Sequence, residues 1–104
     1  MLTLTTDNFE QEVINAEKPV FVDFYANWCG PCKMMAPVVE ELSEEYADRL
    51  VFGKVDIDEN MPLAQQYRVM SIPTFILYKN GEPKEAIIGG CEKSELEAKI
   101  KAVL

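Results

Sequence analysis

Between Val20 and Ala26 every residue is apolar except Asp23. A run this short and this apolar predicts a central strand that is covered on both faces. Strands of that kind belong to sheets with helices packed on either side, so the run favours an α/β fold. It leads directly into two cysteines, Cys29 and Cys32, that are separated by two residues.

A helix is predicted to begin at the cysteines. Pro31 suits the first turn of a helix, where its missing N–H is not needed. Apolar side chains then recur at helical spacing, with glutamates on the opposite side; they are Met34, Met35, Val38, Val39, Leu42 and Tyr46. Pro37 lies inside this helix and removes a bond to the carbonyl of Lys33, which predicts a kink.

The remaining pattern predicts four more strands and three more helices. The strands run over residues 2–4, 50–57, 74–78 and 86–88. Asp7 and Glu10 resemble a capping box that opens the first helix, and Asn80-Gly81 is a type I′ turn signal. Another helix is expected over residues 58–67, and a last one after Gly89-Gly90.

The predicted order of strands (β) and helices (α), βαβαβαββα, is that of one α/β domain over residues 1–104. Strands separated by a helix run parallel and hairpin strands antiparallel, so we expect a central mixed sheet flanked by helices on both faces.

Composition and charge argue against some classes of function. The 104 residues include 18 acids, 10 bases and no histidine, a net charge of −8. Nucleic-acid binding therefore has little support, and we expect no such partner. Residues 1–7 lack the pattern of a signal peptide, and no apolar run reaches the length of a membrane span. We expect a cytoplasmic protein without membrane contact, where a Cys-x-x-Cys pair is more often redox-active or metal-binding than structural.

The helix start predicts the chemistry of the two thiols. Unpaired N–H groups and the helix dipole should lower the pKa of the Cys29 thiol and make it a nucleophile. We expect Cys29 to be exposed there. Cys32, about one turn further in, should be more shielded and able to attack a mixed disulfide formed at Cys29.

Such a pair can instead form a structural disulfide or bind a metal ion. A structural staple gains little, because closing so short a loop removes about 2 kcal/mol of unfolded-state entropy, against roughly 4 to 5 kcal/mol for a long loop. A metal site needs about four ligands, and the pair supplies two; Cys91 adds a third only if the fold brings it near. The rival function is a binding protein, either a partner subunit or one that assembles a metal cluster between two chains.

Residues outside the pair bear on the redox hypothesis. Burial of Asp23 should raise its pKa, and Asp23 could exchange protons with Cys32 unless it lies at a water-facing sheet edge. Lys54 is its candidate partner, or otherwise an exposed strand lysine. Trp28 forms either an apolar lip for docking or part of the core. Pro73 precedes a strand, with a cis or an ordinary trans bond.

Trp28-Cys29-Gly30-Pro31-Cys32-Lys33, followed later by Ile72-Pro73-Thr74, resembles the thioredoxin family. The resemblance covers essentially the whole chain and implies a thioredoxin fold. It also implies a dithiol-disulfide oxidoreductase that reduces disulfides in target proteins, with Cys29 attacking, Cys32 resolving, Asp23 assisting and Lys54 beside it. Pro73 would be cis. The residues implied to contact substrate are Trp28, Gly30, Pro31, Ile72, Pro73, Thr74, Gly89 and Gly90.

The same resemblance implies the partners: disulfide-containing proteins as substrates and a thioredoxin reductase as electron donor. It implies a monomer with no cofactor beyond the Cys29–Cys32 disulfide and no metal. Two residues depart from the family pattern. Tyr25 stands where many relatives carry a second tryptophan. Cys91 falls near the docking groove, either as a small apolar residue or as a site of regulatory oxidation or of an intermolecular disulfide.

Overall fold

The computed structural model describes residues 1–104 and contains one mixed sheet of five strands. The strands are β1 (Leu2–Thr3), β2 (Val20–Tyr25), β3 (Val51–Asp56), β4 (Thr74–Lys79) and β5 (Glu82–Ile88). Their order across the sheet is β1-β3-β2-β4-β5, with β2 parallel to β3 and antiparallel to β4. The run that contains Asp23 is therefore the middle strand, as predicted.

The helical segments are a single turn (Glu10–Ile14) and the helices α1 (Gly30–Glu45), α2 (Met61–Gln66) and α3 (Lys93–Val103). Successive side chains of a strand face opposite sides of the sheet. Accordingly, Phe21 packs with α1 and α3 in one apolar cluster, whereas Val20 and Val22 pack with α2 and the N-terminal turn in another. Both faces are covered, which confirms the predicted layers.

The first helical segment is preceded by a turn and is capped differently than predicted. The chain already turns at Thr5, whose carbonyl accepts a hydrogen bond from the N–H of Phe9. The reciprocal cap is made by Thr5 and Asn8: the Thr5 N–H donates to Asn8 Oδ1 at 2.7 Å, and the Asn8 N–H donates to Thr5 Oγ1 at 3.2 Å. The predicted capping box of Asp7 and Glu10 is therefore wrong.

The starts of α2 and β5 also differ from the prediction. Helix α2 begins at Met61 because the preceding residues form a side-chain turn, in which the Asp58 N–H donates to Asp56 Oδ1 at 3.0 Å. Strand β5 begins at Glu82 rather than Ala86 and contains Pro83, which an edge strand tolerates. Helix α1 runs without interruption past Pro37, whose kink stays a prediction.

The predicted hairpin between β4 and β5 is confirmed. Asn80 and Gly81 both have positive φ, 55° and 79°, as a type I′ turn requires. No helix of the structure has both the length and the apolar character needed to cross a bilayer.

A stability prediction follows from Tyr78. Its ring is 1% exposed in the cluster of α2 and the N-terminal turn, and its hydroxyl has no hydrogen-bond partner. A buried hydroxyl without a partner is destabilising, so Tyr78→Phe should raise the free energy of unfolding by about 1 kcal/mol.

Tyr46 provides the matched control, because its buried hydroxyl donates to Glu97 at 2.9 Å. Tyr46→Phe should lower the free energy of unfolding by about 1 kcal/mol. Urea denaturation of the two oxidised variants measures both values, and a loss of equal size in each would contradict the prediction for Tyr78.

Candidate redox site

The two cysteines of the site lie where β2 passes into α1. Cys29 is the N-cap residue of α1, and Cys32 lies in its first turn. Their sulfurs are joined in a disulfide, and the Cys32 N–H points at Cys29 Sγ at 3.2 Å. The Cys29 sulfur thus receives an N–H group at the positive end of the helix, an environment that stabilises a thiolate when the pair is reduced.

The exposure of the two cysteines differs from the prediction. Cys29 is only 4% exposed and Cys32 8%, so the prediction of an exposed Cys29 in front of a more shielded Cys32 is wrong for the disulfide form. The reason is tertiary packing: the two cysteines form a small apolar cluster with Ala26, and Ile57 and Ile72 pack against it from separate loops. Packing from these loops therefore leaves little of either cysteine in contact with solvent.

Asp23 lies on β2, with Lys54 of β3 and Phe75 of β4 as its register neighbours. Since β2 is paired on both sides, Asp23 is not at a sheet edge. Its Oδ1 is buried without a hydrogen-bond partner. Burial raises the pKa of Asp23 to about 7, and the positive charge of Lys54 opposes part of that shift.

A cleft of about 230 Å³ joins Asp23 to the redox pair, because both Asp23 and Cys32 line it. Lys54, Tyr25 and Glu40 also line this cleft. Asp23 and Cys32 thus face one shared cleft that is open to solvent.

Lys54 is exposed and acts on Asp23 only through its charge. It makes no hydrogen bond to the buried Oδ1, and its ammonium lies 5.7 Å from the centre of the Tyr25 ring. Tyr25, at the end of β2, is half-buried, and burial together with Asp56, Asp23 and Glu59 raises its pKa. Lys54 is thus an electrostatic partner of Asp23 and not a hydrogen-bond partner of its Oδ1.

Trp28 is 68% exposed beside the disulfide, so it does not belong to the core. Its indole N–H donates to Asp58 Oδ2 at 2.8 Å, and the N–H of Asp58 is itself held by Asp56. The hydrogen bond to Asp58 fixes an otherwise free ring. Asp58 is a site residue that the sequence analysis missed, since its position looked like the start of a helix.

The loop before β4 completes the site. The Ile72–Pro73 peptide bond is cis, and the Pro73 carbonyl accepts a hydrogen bond from the Gly89 N–H at 2.7 Å. Gly89 has φ +90°, a conformation that favours glycine. Thr74 is only 5% exposed and its hydroxyl donates to the Ser71 carbonyl, so its side chain faces inward.

Other predicted residues lie on the surface around the disulfide. Gly30 and Pro31 are exposed between the cysteines. Pro31 shares a groove with Gly90 and Cys91, so the fold does bring the third cysteine near the site. Cys91 is half-buried and free, and burial, with Glu95 and Glu92, raises its thiol pKa. No three His, Cys, Asp or Glu side chains are grouped to hold a metal ion.

Comparison with known proteins agrees with this geometry. The thioredoxin family model matches residues 1–102. A thioredoxin of Alicyclobacillus acidocaldarius subsp. acidocaldarius is 50% identical, over 99% of this chain and 97% of its own length. Thioredoxins of Acidithiobacillus ferridurans and Mycolicibacterium smegmatis are each 47% identical, over 94% and 91% of this chain and 91% and 87% of their own lengths.

The raised pKa of Asp23 predicts how stability depends on pH. Between the ordinary value of 3.8 and about 7, the folded chain keeps a proton that the unfolded chain has released. Stability is therefore lost as pH rises through this window and stays reduced above it. Asp23→Asn has no carboxyl at this position and lacks this loss. The free energy of unfolding of the variant, relative to that of the wild type, should therefore grow by about 3 kcal/mol between pH 4.5 and pH 8.

Urea denaturation of the oxidised wild type and variant at both pH values checks this expectation. The comparison cancels the titration of the other carboxyl groups. An advantage of Asp23→Asn that does not change with pH would show that the carboxyl is not held protonated by burial.

Proposed function

Because the chain belongs to the thioredoxin family, we propose that each residue of the site acts in a defined step of disulfide exchange. The chain is a dithiol-disulfide oxidoreductase that reduces disulfides in proteins, and its redox centre is the Cys29–Cys32 disulfide. Thioredoxins carry out this reaction without a separate cofactor. The observation that carries the proposal is a cysteine pair at a helix N-terminus with a half-buried acid, whose pKa is about 7, in the adjoining cleft.

In the first step, the Cys29 thiolate of the reduced protein attacks one sulfur of a substrate disulfide. A mixed disulfide forms, and the other substrate sulfur leaves as a thiolate. The N-cap position of Cys29 favours its thiolate, because the Cys32 N–H points at that sulfur. Attack is therefore assigned to the cysteine that the helix start stabilises as an anion.

In the second step, Cys32 attacks the Cys29 sulfur and releases the substrate as a dithiol. Cys32 must lose its proton for this attack, and we assign that proton to Asp23, which lines the same cleft. A base with a pKa of about 7 accepts a proton readily at neutral pH and releases it again. The product is the disulfide form, and two electrons have passed to the substrate.

Substrates are proposed to dock as extended segments across the surface beside the disulfide. Trp28 forms one wall and Ile72 packs against the cysteines from the opposite loop. The backbone next to cis-Pro73 would pair with the segment as an added strand does. The remaining contacts are assigned to Gly30, Pro31, Gly89 and Gly90, and at Thr74 to the backbone, since its side chain faces inward.

Electrons are proposed to return from a thioredoxin reductase, since the disulfide must be reduced before each turnover. We further propose that residues 1–104 act as a single domain, a cytoplasmic monomer without a metal. The rival function, a metal cluster assembled between two chains, would use the same two thiols, which are joined in a disulfide in this structure.

The order of attack predicts which variant traps a substrate. Reduced Cys32→Ser should accumulate a mixed disulfide with a protein such as insulin, because attack proceeds and resolution does not. Cys29→Ser should accumulate none. Both are made with Cys91→Ser, so that no third thiol competes, and are analysed by non-reducing electrophoresis. Equal trapping by the two variants would overturn the assignment.

The role of Asp23 predicts a slower second step. Asp23→Asn should slow resolution of a preformed mixed disulfide about 10²-fold at pH 7 and leave the initial attack much less affected. Stopped-flow measurement of the two steps across pH 5 to 9 separates them, and the inflection of the wild-type resolution rate near pH 7 should disappear in the variant.

Glu40→Gln is the matched control, because Glu40 is an exposed carboxyl at the same cleft. It should slow resolution far less than Asp23→Asn does. If the two variants behave alike, Asp23 acts only through the total charge of the cleft and not as the proton acceptor.

A further inference from the structure

The methionines of this chain differ sharply in exposure. Met34 is 80% exposed, Met61 58% and Met70 92%, whereas Met35, next to Met34 in α1, is 6% exposed. Met1, at 44%, lines the Asp23 cleft. Large exposed apolar side chains that line grooves beside one site mark a contact surface.

Met34 lines a groove on the side of the disulfide that faces α3. The groove has a volume of about 460 Å³, and its lining includes Pro31 from between the cysteines and Gly90 from the end of β5. A side chain that enters this groove therefore contacts Met34 while it lies beside the redox pair.

Met61 and Met70 line a second, mainly apolar groove of about 500 Å³ on the side of α2. Asp58, which holds the Trp28 indole, and Ile57, which packs against the cysteine cluster, also line it. Since α2 and α3 cover opposite faces of the sheet, the two grooves lie on either side of the disulfide. Three exposed thioethers thus flank the proposed docking surface.

We propose that Met34, Met61 and Met70 are oxidation sites through which hydrogen peroxide lowers the affinity of this protein for its protein substrates. In the reaction the thioether sulfur donates an electron pair to one peroxide oxygen, an S–O bond forms and the O–O bond breaks. The transferred oxygen gives up its proton to the displaced hydroxide, so that the sulfur ends as a sulfoxide and the hydroxide leaves as water. Methionine sulfoxide reductases reverse the change.

The sulfoxide makes a flexible apolar side chain polar, so an apolar substrate side chain loses its contact in the groove. The chemistry of Cys29 and Cys32 is not altered. This inference rests on the proposed function, in which protein substrates dock beside the disulfide. It therefore requires a loss of affinity for proteins without a loss of rate toward a small disulfide.

The test treats the disulfide form of a Cys91→Ser protein with hydrogen peroxide, so that no free thiol reacts, and then removes the peroxide. Peptide mass spectrometry should find sulfoxide at Met34, Met61 and Met70 and not at Met35. After reduction of the pair, KM for insulin disulfides should rise about three- to tenfold. The rate with a small aromatic disulfide should stay within the error of the untreated sample.

The matched variant is Met34→Leu/Met61→Leu/Met70→Leu, which keeps the surface apolar but cannot form these sulfoxides. Each protein is compared with its own untreated sample, and the ratio for the variant should stay near one. An equal rise in KM for the variant, sulfoxides without any rise in KM, or oxidation of Met35 as fast as Met34 would each overturn the inference. Failure of the untreated protein to reduce insulin would instead contradict the proposed function, while the ratio of oxidation at Met34 and Met35 would still test the modification.

Discussion

Strand β2 is hydrogen-bonded to β3 along one side and to β4 along the other, and this double pairing places every part of the redox site. Its end delivers Cys29 to the start of α1. Its pairing with β4 brings the loop that holds cis-Pro73 close to the cysteines, although the two segments are far apart in sequence. Its central position also keeps Asp23 away from the sheet edges, and the carboxyl oxygen Oδ1 is buried.

Asp23 shows how function and stability compete in this fold. A carboxyl in a central strand loses hydration, and burial raises its pKa to about 7 because no hydrogen bond to Oδ1 compensates. The same property suits it to exchange a proton at neutral pH. Lys54 moderates the effect through its charge, while its ammonium remains in solvent. The destabilising group thus lies in the cleft that Cys32 also lines.

The surface around the disulfide carries large exposed apolar side chains. A chain with a net charge of −8 carries exposed Trp28 beside the disulfide, and exposed Met34, Met61 and Met70 in the grooves on either side of it. Trp28 is restrained by Asp58, whereas the methionines are flexible and can adapt to different side chains. Such a surface combines one fixed wall with adaptable contacts, which suits a reductase whose substrates share a disulfide rather than a sequence. The thioethers that make it adaptable also make it oxidisable.

Local pattern determined much of this protein. The apolar run from Val20, the cysteine pair at a helix start and the Asn80-Gly81 turn are short-range signals, and the mixed sheet follows from their order. They predicted the element order, with errors confined to ends such as the first cap and the start of α2. Those ends depend on side-chain hydrogen bonds, at Thr5 and Asn8 and at Asp56, for which several nearby polar residues compete.

Only the tertiary structure decided the burial of Cys29, the exposure of Lys54, the inward-facing Thr74 and the role of Asp58 as the partner of Trp28. Each of these depends on contacts between segments far apart in the chain. Ile57 and Ile72 cover the cysteines from separate loops, and no periodicity within α1 could reveal them. Sequence therefore determined which groups react, because reactivity follows from residue type and helix position. Packing between distant segments decided how accessible those groups are and which neighbours surround them.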